Sequence, residues 1–143
     1  MLRVFIAAIV GAVLLATLEA VTYAVLIPDL VDATRISYEG LIKEEPDLVP
    51  FLLFNLVWAS LLACIFEYLG NIRTFLRGAI VGAMIMGTIV IGINLGYIAF
   101  FNLLENVFVI VPVKVAAMAV TGAIVGGIMA KLLGWGHQSA RPS

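Results

Sequence analysis

Residues 4–27, VFIAAIVGAVLLATLEAVTYAVLI, form an apolar run with a single charged residue, Glu19, inside it. A helix needs about 20 predominantly apolar residues to cross the hydrocarbon core of a bilayer, and this run exceeds that length. Three more runs follow: residues 51–69, residues 75–101 and a last one ending near Leu133. Pro28 and Asp29 close the first run. Pro50 opens the second, where a helix loses least from a missing N–H. The expected fold is therefore all-α: a polytopic membrane protein with a four-transmembrane-helix bundle as its single domain, residues 1–133. Its helices are expected at about 4–27, 50–70, 74–101 and 108 or 112 to 133. Residues 134–143 have the composition of a flexible cytoplasmic tail.

The fourth run leaves its start open because Pro112 lies near its beginning. Either the helix begins near Val107 and kinks, or it begins at Pro112 and the preceding segment lies along the interface. The preference of proline for the first helical turn favours the second.

Composition agrees with lipid as the solvent. The chain has 143 residues, 64% of them hydrophobic and 12% charged, against about 45–50% and roughly 25% in soluble domains. The eight Lys and Arg residues are scattered and form no basic face, which argues against nucleic acid as a partner. One cysteine, Cys64, excludes an intrachain disulfide, and one histidine, His137, excludes a haem held by two histidines of the chain. No metal site and no cofactor is expected. The opening Met1-Leu2-Arg3 imitates a signal peptide, but its apolar stretch is too long and no clean small-x-small site follows, so it reads as a retained first helix.

Orientation follows from the basic residues. With four crossings, Arg3, Arg73, Arg77, Lys131 and Arg141 fall on one side. The long first loop falls on the other, with Asp29, Asp32, Glu39, Glu44, Glu45 and Asp47 against Arg35 and Lys43. Both termini are expected in the cytoplasm and the acidic loop outside (N-in/C-in). Tyr68 and Trp135 would mark the inner interface, Tyr23 and Tyr97 the outer one. Residues 38–45 have the pattern of a short amphipathic helix on the outer surface. No internal repeat is evident.

Lipid gives no hydrophobic force between helices, so close approach through small residues has to contribute. The first helix offers Ala8, Ala12, Ala16, Ala20 and Ala24; the third Gly78, Gly82, Gly92 and Gly96; the fourth Gly122 and Gly126. Such faces serve packing within the chain or self-association. The second helix shows no such stripe and is expected to be peripheral.

Polar groups at membrane depth are costly and mark function more often than surface charges do. At 1.5 Å per residue, Glu19 lies roughly 12 Å and Asn94 roughly 10 Å inside the outer ends of their helices. Asn55 and Lys114 occupy the same outer half. All four helices thus bring a polar residue to one level. A Glu19–Lys114 ion pair with Asn55 and Asn94 as hydrogen-bond partners would fix helix register, or would line a small cavity for a proton, an ion or a polar head group. On the inner side, Glu67 and Arg77 are placed to clamp the second and third helices. No enzymatic motif is present: there is no phosphate loop, no Ser/His pair and no HExxH.

The segments TYAVLIPDL (residues 22–30), RGAIVGAMIMG (77–87) and TGAIVGGIMAKLLG (121–134), with the extended loop between the first two helices, resemble small four-helix bacterial membrane proteins whose own roles are uncharacterised. The resemblance implies a bacterial inner-membrane location and no residue roles. Two functions are expected from the residues: a non-enzymatic accessory subunit or homo-oligomer assembled through Gly/Ala faces, or a small transporter or channel component using Glu19, Asn55, Asn94 and Lys114 for a proton, an ion or a small polar substrate.

Overall fold

The computed structural model describes residues 1–34, 36, 47–101 and 105–135. Among them every regular element is helical. Four helices are long and apolar enough to cross a membrane: α1 (Leu2–Leu26), α3 (Leu48–Leu69), α4 (Phe75–Phe100) and α5 (Val107–Gly134). A short helix, α2 (Pro28–Thr34), follows α1. Helices of this length and hydropathy mark a multi-pass membrane protein.

The first span ends in a π-helical turn, Thr22–Leu26, closed by Ile27 N donating to Thr22 O at 3.0 Å. Ile27 breaks the helix, and Pro28 opens a new one in place of the loop expected there. A first-turn proline suits that start because its φ is already helical and its N–H would have had no partner. The expected amphipathic helix at 38–45 and the expected tail from 136 onward lie outside the described residues.

The second span also ends in a π-helical turn, Ile65–Leu69. Gly70 N then donates to Ile65 O at 2.9 Å and Ile72 N to Phe66 O at 2.8 Å. The chain reverses at Asn71, whose φ of 44° lies in the left-handed region that asparagine tolerates better than most residues.

The fourth span begins at Val107, so the start at Pro112 favoured by the sequence is wrong. Asn106, at φ 50°, turns the chain into the helix, and its carbonyl accepts from Val109 N at 2.8 Å and Ile110 N at 3.2 Å. Ile110 is fully buried, which draws the segment before Pro112 into the bundle and not along an interface. Pro112 forfeits one backbone hydrogen bond, a loss that membrane helices accommodate.

The spans do not form a closed ring. α1 packs against α3 on one side and α5 on the other, and α5 packs most extensively against α4. The spatial order is α3–α1–α5–α4, and α3 and α4 hardly approach each other although they are neighbours in sequence.

Small residues make the two tight interfaces. Gly78 and Gly82 of α4 lie against Gly126 and Gly122 of α5. A Cβ added to Gly126 would come within 3.0 Å of the Gly82 Cα, and one added to Gly122 within 2.8 Å of the Met86 Cβ. The backbones thus approach as closely as glycine allows. On α1, Ala8, Ala12 and Ala16 are buried, and the tightest point is Gly11, where an added Cβ would sit 3.2 Å from the Ala59 Cβ and 2.5 Å from Met129 Sδ. The second span does have a small-residue stripe: Ala59 and Ala63 are fully buried one turn apart, in line with Asn55. A Cβ at Gly92 or Gly96 would meet nothing within 4 Å and Ala20 is exposed, so these three pack against none of the other described helices.

At the other end of the bundle, Arg73 ties the turn after α3 to the end of α5. Its guanidinium pairs with Glu67, Nη1 donates to Leu133 O at 3.2 Å, and Nε donates to Asn71 Oδ1 at 3.0 Å. The expected partner of Glu67 was Arg77; Arg77 is exposed, and Arg73 takes that place. The exchange follows from the left-handed turn at Asn71, which folds Arg73 back under the helix ends.

Candidate functional site between the spans

Because α3 and α4 stay apart, a cavity of about 230 Å³ lies between them. α1 and α5 contribute its remaining walls. Glu19 and Tyr23 enter from α1, Phe54 and Trp58 from α3, Asn94 and Tyr97 from α4, and Lys114 and Met118 from α5. The rest of the lining is aliphatic.

Three of the four polar residues singled out in the sequence, Glu19, Asn94 and Lys114, therefore share one cavity. Asn55 is the fourth. It is fully buried, is not part of the cavity lining, and hydrogen-bonds the Glu19 side chain. Its Nδ2 also donates to Phe51 O at 3.0 Å, which fixes the amide orientation and leaves Oδ1 with no donor. Asn94 is buried and is held in the same way, Nδ2 donating to Val90 O at 2.8 Å. Both amides thus spend an N–H on their own helix, at the carbonyl four residues back. Lys114 is half-buried and has an interaction partner of its own. The partner seen for Glu19 is Asn55.

Glu19 and Tyr23 also border a shallower apolar groove of about 470 Å³ with Ala20, Ala24 and Phe51. Glu19, although only 8% exposed, is thus reached from two depressions. Among the described residues no three His, Cys, Asp or Glu side chains gather as they would around a metal ion.

The sequence reading missed the aromatic lining, having taken Tyr23 and Tyr97 as interface markers. The signal was the spacing. Tyr23 follows Glu19 by four residues, Trp58 follows Asn55 by three, and Tyr97 follows Asn94 by three. Residues three and four apart share a helix face. Glu19, Asn55 and Asn94 therefore each carry an aromatic one turn further along; Lys114 does not.

No family model, curated protein or solved structure matches the chain. All-helical, with four spans and a polar cavity among them, the protein is defined at the level of a small integral membrane protein.

Proposed function

We propose that the protein is a non-enzymatic membrane component that takes a small polar or amphiphilic solute into the outer-half cavity, as a transporter or channel component would. The observation that carries this is the convergence of Glu19, Asn94 and Lys114 from three helices on one cavity. Polar side chains at such depth are expensive unless they serve one another or a ligand. A cluster serving only to fix register would fill its own space, whereas here room is left beside it.

The test is hydration. In a Cys64→Ser background, Val90→Cys lines the cavity and Ile91→Cys, next to it, faces outward. A membrane-impermeant, thiol-specific methanethiosulfonate, applied to both faces, is expected to modify Val90→Cys at least tenfold faster. Equal, slow rates at both positions would show that the cavity holds no water and would remove this reading.

A second reading, assembly with further copies, has its own observation. Gly92 and Gly96 form a Gly-x-x-x-Gly pair on which no other described helix packs, and such pairs let helices approach closely.

The proposed orientation places both termini in the cytoplasm, supported by the basic residues near the inner ends of the spans. A C-terminal green fluorescent protein fusion is expected to fluoresce in a bacterial host, and a C-terminal alkaline phosphatase fusion to be inactive. The reverse pattern would invert the topology and put the cavity in the inner half.

A further inference from the structure

The cavity presents one carboxylate, Glu19, among amide and aromatic side chains. Glu19 offers carboxylate oxygens, and Asn55 supports Glu19 from behind the lining. Asn94 spends one Nδ2 hydrogen on Val90 O, which leaves its Oδ1 as an acceptor and its second N–H as a donor. Lys114, the cation of the lining, already has a partner. Around these acceptors stand the rings of Tyr23, Trp58 and Tyr97. Acceptors ringed by aromatic faces suit a cation: an ammonium has three donors and no acceptor, and it is attracted to the face of an indole or phenol.

Size narrows the class. At about 30 Å³ for each water in the liquid, the cavity has room for roughly eight waters, less than the ≈ 300–1,000 Å³ of an ordinary ligand pocket. A head group and a few carbons fit. A longer apolar body would leave through the gap between α3 and α4, which no helix among the described residues closes.

Resting on the cavity reading above, the geometry points to a lipophilic primary or secondary amine as the ligand. Its ammonium lies against Glu19 and Asn94 beside Trp58, and its apolar body passes out between α3 and α4. Glu19 supplies the opposite charge that a desolvated cation requires. Asn94 Oδ1 accepts one of its N–H groups.

Tryptophan emission reads this directly. The chain has two tryptophans, so Trp135→Phe leaves Trp58 as the reporter. The full-length protein in phosphatidylcholine nanodiscs is titrated with octylammonium, octyltrimethylammonium, octan-1-ol and octanoate. Octylammonium is expected to shift Trp58 emission saturably. Octyltrimethylammonium, without N–H donors, should bind at least tenfold more weakly, and octan-1-ol and octanoate should show only linear partitioning. Glu19→Gln is expected to weaken octylammonium binding at least tenfold and Asn94→Leu at least fivefold. Either variant suffices if the other fails to fold, as judged by circular dichroism and gel filtration.

Saturable octanoate binding that Lys114→Met abolishes would overturn the ligand class while leaving the cavity reading intact. Equal affinity for the quaternary ion, or saturation by octan-1-ol, would also overturn it, since neither needs the acceptors. Linear responses to all four probes would overturn it too, and the reactivity of Val90→Cys would then show separately whether the cavity reading survives.

Discussion

Gly82→Ile and Gly126→Ile are each expected to abolish the folded bundle, whereas Gly92→Ile and Gly96→Ile leave it intact. All four lie in Gly-x-x-x-Gly pairs on α4 or α5, so sequence alone gives no reason to separate them. The surroundings do. A Cβ on Gly82 meets the Gly122 carbonyl oxygen and comes within 3.1 Å of the Gly126 Cα, and backbone cannot swing aside as a flexible side chain can. Overpacking typically costs about 1–3 kcal/mol. A branched side chain driven into a helix–helix contact belongs at or above the top of that range, enough to part α4 from α5. At Gly92 and Gly96 an added side chain enters open space, and the effect should stay within about 0.5 kcal/mol. Unfolding in detergent followed by circular dichroism separates the pairs. Equal loss in all four variants would contradict the α4–α5 geometry. Native mass spectrometry of Gly92→Ile bears on assembly: a multimer in the unaltered protein that this variant loses supports the second reading.

Arg73→Ala is expected to destabilise the protein by about 2 kcal/mol, the range of a hydrogen bond to a charged group, while Arg77→Ala stays close to neutral. Arg73 is the single side chain that joins Glu67, Asn71 and the Leu133 carbonyl, and its exposure of 18% limits competition from water. Its removal also leaves Glu67, 24% exposed, without that partner. The same detergent unfolding experiment on both arginine variants decides the matter. A larger loss for Arg77→Ala would restore the clamp expected from the sequence.

Hydropathy made the four spans legible because lipid imposes one strict demand on length and polarity. It said little about which face of each span turns inward. In water, an apolar face marks the core; in lipid, apolar residues face both neighbours and solvent, and the distinction fades. Hence Ala59 and Ala63 went unnoticed on α3, Gly11 was passed over on α1, and Gly92 and Gly96 were not told apart from the glycines that pack α4 on α5. Pro112 misled for another reason: its positional preference is a property of isolated helix starts, and the burial of Ile110 outweighs it. The polar residues were legible by depth, since Glu19, Asn94 and Lys114 stand out against apolar sequence and do share a cavity. Their aromatic neighbours were legible only by spacing.

The order α3–α1–α5–α4 has a consequence for biosynthesis. Sequence neighbours pair within each half, α1 with α3 and α4 with α5, and the halves join mainly through the first and last spans. Of the four spans, a ribosome delivers α1 first and α5 last. Each half can form as a hairpin soon after it emerges, in line with the piecewise folding of nascent chains. The cavity cannot, because one of its walls is α5. Glu19 thus enters the membrane three spans before α5, and the compartment it lines is completed only when α5 has been made.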